Sequence, residues 1–148
     1  MKDIKRIQIG SSVFFSEYDD YQSKDIDVLS IMDEFFPGSN SMRLKFNNTN
    51  EDVFLYRNLD KEGFIKDDLK SGLPMRAGKY LVPEFIEYIG LTLEDLKQFK
   101  SMFENMDEKH RYEKIIYDSY IENNGFFLTD VQRNIAYYEY KKPRQYHK

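Results

Sequence analysis

The apolar pattern of this chain changes period once, near Leu59, and that change narrows the kind of domain the chain can form. Before it, four stretches read as short strands. Ile4, Ile7 and Ile9 lead into Gly10-Ser11-Ser12, a tight turn followed by a helix start. Asp25-Ile26-Asp27-Val28-Leu29-Ser30-Ile31-Met32 begins in alternation and turns apolar, as a mostly buried strand does. Met42, Leu44 and Phe46 alternate with Arg43 and Lys45, and Asp52-Val53-Phe54-Leu55-Tyr56 follows across the turn Asn47-Asn48-Thr49-Asn50, as a hairpin or neighbouring strands. Residues 16–24 read as a loop or a frayed helix end, and Phe36-Pro37-Gly38-Ser39-Asn40-Ser41 as a loop.

Beyond Leu59 the spacing is helical. Phe64, Ile65 and Leu69 predict a helix stopped at Gly72-Leu73-Pro74, and residues 79–89 predict another, with Pro83 tolerable only near its first turn. Thr92 and Asp95 form a capping box ahead of Leu93, Leu96, Phe99, Met102 and Phe103, and two more helices are expected around 110–122 and after Thr129. Strands followed by helices define an α+β domain with a helical C-terminal part. The expected division is a core over 1–90, a helical part packed on it over 91–140, and a basic tail over 141–148.

Composition removes several function classes. With 148 residues the chain is about one domain long, and without cysteine it has no disulfide framework. No apolar run approaches the ~20 residues that a membrane-spanning helix needs. The charged start, Met-Lys-Asp-Ile-Lys-Arg-Ile, does not read as a secretory signal, so the cytoplasm is the default expectation. Net charge is −4, but the tail KKPRQYHK holds four bases and no acid, which leaves residues 1–140 at −8. An acidic body is a poor match for coating a nucleic-acid duplex and a better one for divalent cations.

The informative constellation is Gly10-Ser11-Ser12 together with Asp25, Asp27 and Asp52. Mg²⁺ takes one or two carboxylates with substrate phosphate and water, so Asp25 and Asp27, on one face of a strand, could clamp metal and triphosphate together. Gly10 would let the backbone approach a phosphate, and Ser11 and Ser12 would offer hydroxyl and amide donors. Asp52 would hold a second cation and orient or deprotonate an attacking hydroxyl. Glu51 is its competitor, but alternation places Glu51 on the opposite side of the strand.

Ile9-Gly10-Ser11, followed after thirteen residues by Asp25-Ile26-Asp27-Val28, resembles the hydrophobic-Gly-Ser … Asp-x-Asp signature of the DNA polymerase β-like nucleotidyltransferase superfamily. Asp52-Val53-Phe54-Leu55-Tyr56, and the helices on either side of Gly72-Leu73-Pro74, resemble its small bacterial and phage members over residues 4–90. The resemblance implies a nucleotidyltransferase-like mixed sheet with flanking helices. It implies Mg²⁺ as cofactor, Asp25, Asp27 and Asp52 as metal ligands and catalytic acids, and Gly10, Ser11, Ser12 and Lys24 against the nucleotide. A nucleoside monophosphate would pass from a triphosphate, ATP as the expected donor, to a hydroxyl of a protein, RNA or small-molecule acceptor. Three departures stand out: the gap from Gly-Ser to Asp-x-Asp is at the long end for the family, Val13-Phe14-Phe15 replace the usual small residues, and Lys24 stands where Ser or Thr often precedes the first acid. They motivate the alternative, a non-catalytic binding or regulatory protein of the same fold, antitoxin-like or a phage-encoded partner.

The remaining features read more plainly. His110 and His147 have no partner motif and belong to surface or tail. Glu17, Asp19 and Asp20 form a solvated acidic loop, and the pairs Phe35-Phe36, Phe126-Phe127 and Tyr137-Tyr138 signify core or self-association into a homo-oligomer.

Overall fold

The computed structural model describes residues 3–22, 25–32, 41–46, 50–57, 81–100, 104 and 111–142. It is mixed α and β, in two compact units, Met1–Ile65 and Lys66–Lys148. The expected helix of residues 59–72, Lys24, both histidines and positions 143–148 lie outside the described residues.

The first unit is a four-stranded sheet of β1 (Asp3–Ile9), β2 (Ile26–Met32), β3 (Ser41–Phe46) and β4 (Glu51–Arg57), ordered β1-β2-β4-β3. β2 runs antiparallel to β1 and parallel to β4, and β3 closes the hairpin expected with β4. Asn50, at φ 58°, makes the turn into β4, a conformation Asn tolerates better than most residues, and its carbonyl accepts from the Ile26 amide at 2.7 Å. β4 begins one residue before Asp52, at Glu51.

Register assigns the sheet faces. Ile7 opposes Leu29, and Ile9 opposes Asp27, which is level with Asp52. Ile7, Ile9, Leu29 and Ile31 are buried on this face, while Val28, Met32, Val53 and Leu55 form a buried cluster on the other. β2 is thus apolar on both sides beyond Asp27, which explains why its sequence loses alternation after that residue. Between β1 and β2 the chain makes the short helix α1 (Ser11–Phe15), anchored by the fully buried Phe15.

The second unit is helical among the described residues. α2 (Pro83–Ile89) begins at Pro83 rather than at residue 79, because proline lacks the amide a helix interior requires but fits the first helical position. It ends at Gly90, φ 70°, where Gly90 N–H donates to Glu87 O and Leu91 N–H to Ile86 O, the double closure of a Schellman motif. α3 (Leu93–Lys97) carries the expected capping box, Thr92 with Asp95, but turns at Gln98, and helical backbone resumes at Lys100.

α4 (Arg111–Asn123) and α5 (Asp130–Lys141) pack on each other. Thr129 and Gln132 form a second capping box, and the Asn123 amide exchanges hydrogen bonds with Gln132 at 2.8 and 3.2 Å. Two α4 tyrosines tie the unit together: Tyr120 Oη donates to Leu81 O and Tyr117 Oη to Leu96 O, each at 3.0 Å. α5 runs through Lys141, so the first residue of the expected tail is helical. No helix among the described residues is long and apolar enough to cross a membrane.

Candidate functional site

The antiparallel pairing of β1 and β2 puts the end of one strand beside the start of the other. Gly10, Ser11 and Asp27 therefore share one end of the sheet, and the parallel β2–β4 pair brings Asp52 to the same level. Asp27 and Asp52 are each the second residue of their strand and adjoin on one face. Asp25 lies just ahead of β2, two residues before Asp27. The backbone thus gathers the carboxylate positions at one sheet end, as the order of motifs implied.

Gly10 is held at φ 78°, ψ −161°, a region essentially restricted to glycine. A Cβ built there would stand 2.8 Å from Asp27 Oδ2. Both conditions exclude a side chain and bring the turn close to the Asp27 carboxylate.

The two serine hydroxyls have protein partners. Ser11 Oγ shares a 2.9 Å hydrogen bond with Tyr21 Oη, and Gln8 Nε2 donates to Ser12 Oγ at 2.7 Å. Tyr21 and Gln8 were not singled out from sequence. Gln8 is a polar residue between buried Ile7 and Ile9, a usable signal, whereas Tyr21 reaches back ten residues from an irregular segment that periodicity does not describe.

Asp52 is 2% exposed. Across the β3–β4 pair its register partner is Lys45, so a basic position adjoins the acidic one. Glu51 is directed to the other face, where Arg6 Nη2 donates to both of its carboxylate oxygens at 3.2 and 3.3 Å. That pairing separates the two neighbouring acids by sheet face and by partner.

Among the described residues no group of three or more His, Cys, Asp or Glu side chains is set close enough to hold a metal ion. The donors present fit Mg²⁺ in a narrower way, since that ion commonly takes only one or two carboxylates and completes its shell with substrate phosphate and water. Register sets Asp27 and Asp52 level on adjoining strands, and Asp25 precedes Asp27 by two residues along the chain. Comparison with known proteins found no match to a family model, to a curated protein or to a solved structure.

Proposed function

We propose that the chain is a Mg²⁺-dependent nucleotidyltransferase of the DNA polymerase β-like class. The observation that carries this reading is the Gly10 turn closed against Asp27, with Asp52 level on the adjoining strand. That juxtaposition supports a site in which backbone and hydroxyl donors face a triphosphate while carboxylates collect the cation beside it.

In this reading Asp25 and Asp27, with Asp52, would hold Mg²⁺, and Gly10, Ser11 and Ser12 would line the phosphates of ATP, with Lys24 the remaining candidate. Bound Mg²⁺ supplies charge neutralisation at the phosphoryl oxygens and the departing pyrophosphate. Asp52 takes the proton of an acceptor hydroxyl, whose oxygen forms the new bond to the α-phosphorus as the bond from that phosphorus to the bridging oxygen breaks and pyrophosphate leaves. The acceptor is a hydroxyl of a protein, RNA or small molecule. Pyrophosphate release tests the reading: Asp25→Asn and Asp27→Asn should each lower it by about 10²-fold or more with the fold intact, and undiminished release in both removes the proposal.

A second reading, a non-catalytic binding or regulatory protein of this fold, is favoured by one specific observation. Ser11 and Ser12 already bond to Tyr21 and Gln8, so a triphosphate would share or displace those bonds. Nucleotide binding that ignores Mg²⁺, with no pyrophosphate formed, is its signature.

A further inference from the structure

Of the seven glycines in the chain, Gly125 alone follows an asparagine, and every other asparagine precedes a residue that carries a side chain. An Asn-Gly pair is open to attack by its own backbone. The amide nitrogen of the second residue can reach the side-chain Cγ of the first, and glycine has no Cβ to obstruct that approach.

The structure places this pair at the end of α4, on the turn into α5. Asn124 is exposed and left-handed, at φ 52°. Asn124 N–H donates to Ile121 O and Gly125 N–H to Tyr120 O, each at 3.2 Å. These are the two closing bonds of a Schellman motif, with asparagine in the position that glycine usually takes. The nitrogen that would attack is therefore tied to a helix carbonyl for as long as the cap holds. The cap is itself braced. Tyr120 is fully buried, and Asn123 Nδ2 donates to Phe127 O at 2.9 Å and to Gln132 Oε1 at 2.8 Å across the turn.

We propose that Asn124 is a spontaneous modification site of this protein, converted to aspartate and isoaspartate at a rate set by opening of the α4–α5 turn. In the open turn the Gly125 amide gives up its proton to solvent base and its nitrogen attacks Asn124 Cγ. The new N–Cγ bond closes a five-membered imide, and the side-chain nitrogen takes a proton and leaves as ammonia. Water then adds to either ring carbonyl: one opening gives aspartate, the other isoaspartate, with the backbone running through the former side chain. Each product sets a carboxylate at the C-terminal end of α4, where the helix dipole disfavours negative charge. Isoaspartate also adds a backbone carbon between the two residues whose amides close the cap, so the spacing that lets Gly125 N–H reach Tyr120 O is lost.

The test is incubation of the full chain in warm, mildly alkaline buffer, followed by peptide mass spectrometry for the mass gained when amide becomes acid. Isoaspartate is counted separately with an isoaspartyl-specific methyltransferase and a labelled methyl donor. Conversion should concentrate at Asn124 and run faster in the chain unfolded by guanidinium chloride. Gln132→Ala, which removes a brace without touching the reacting atoms, should speed it by about 2- to 10-fold, the equivalent of one lost hydrogen bond. Asn124→Gly puts the favoured residue in the left-handed position, so it should keep its circular dichroism and Tm and give no isoaspartate. Aged wild type should melt lower than fresh protein, and aged Asn124→Gly should not. Folded protein that stays unmodified at Asn124, conversion spread equally over other asparagines, or one rate shared by folded chain, unfolded chain and Gln132→Ala overturns the proposal.

Discussion

The carboxylate of Asp27 occupies the space that a side chain at position 10 would need: a Cβ on Gly10 would lie 2.8 Å from Asp27 Oδ2. Gly10→Ala therefore meets both a backbone and a steric penalty. The backbone part alone is about 1–3 kcal/mol. In an Asp27→Ala background the steric part disappears, so urea denaturation of the two single variants and the double variant should give a coupling of about 0.5–3 kcal/mol. Additive effects would contradict the close approach.

Glu51 and Asp52 are adjacent acids with separate consequences. Glu51 pairs with Arg6 at 3.2 Å between side chains that are 44% and 33% exposed, so Glu51→Gln should cost only about 0–1 kcal/mol, less in high salt. It should also leave pyrophosphate release unchanged, whereas Asp52→Asn abolishes it. Parallel activity and denaturation measurements on both variants check this, and loss of activity in Glu51→Gln would transfer the role to that residue.

Tyr21→Phe removes the hydroxyl that meets Ser11 Oγ at 2.9 Å. The expected stability loss is about 0.5–1.5 kcal/mol, that of one part-buried hydrogen bond. Because the freed serine hydroxyl then needs a new partner, the KM for triphosphate should change with kcat nearly constant. A change confined to kcat would place Tyr21 elsewhere in the reaction.

Burial, with the nearby Asp118 and Glu104 carboxylates, pushes the Tyr117 phenol up from 10.0 to about 12. Below pH 10 both folded and unfolded chains keep the proton, and the contribution to stability is fully present. As pH rises from 10 to about 12 the unfolded chain releases it first, so stability falls across that window. Tyr120, raised by burial alone, acts in the same direction. Chemical denaturation between pH 9 and pH 12 should show a shallower decline for Tyr117→Phe, beginning from a lower stability because the bond to Leu96 O is lost.

The strands and the caps were legible because each rests on local chemistry. Alternation placed β1, β3 and β4, the apolar run placed β2, and Thr92 with Asp95 marks a helix start whose side-chain bonds the structure contains, while the second box, Thr129 with Gln132, emerges only from the structure. Pro83 is a first-turn residue as expected, but the apolar spacing also carries the predicted helix over Leu81 and Val82, which precede it, and Val82 is extended. The spacing of Phe99 likewise hid the turn at Gln98.

At the candidate site the common sheet end of Gly10, Asp27 and Asp52 followed from motif order and strand direction. Tyr21 on Ser11 and Arg6 on Glu51 were not legible, because each depends on how irregular or distant segments meet rather than on spacing. The expected meeting of three carboxylates rests on alternation, on their place at the starts of strands and on the family resemblance. Alternation fixes a face, but it does not fix side-chain separation, and no three-acid group is formed among the described residues.

The central claim is that Asp27 and Mg²⁺ together make a triphosphate site beside Gly10. Calorimetric titration of the four ribonucleoside triphosphates into wild type and Asp27→Asn, each with and without Mg²⁺, addresses it directly. The account predicts binding that requires both Mg²⁺ and Asp27, strongest for ATP; binding that is equal in Asp27→Asn, or absent in wild type with Mg²⁺ present, would contradict it.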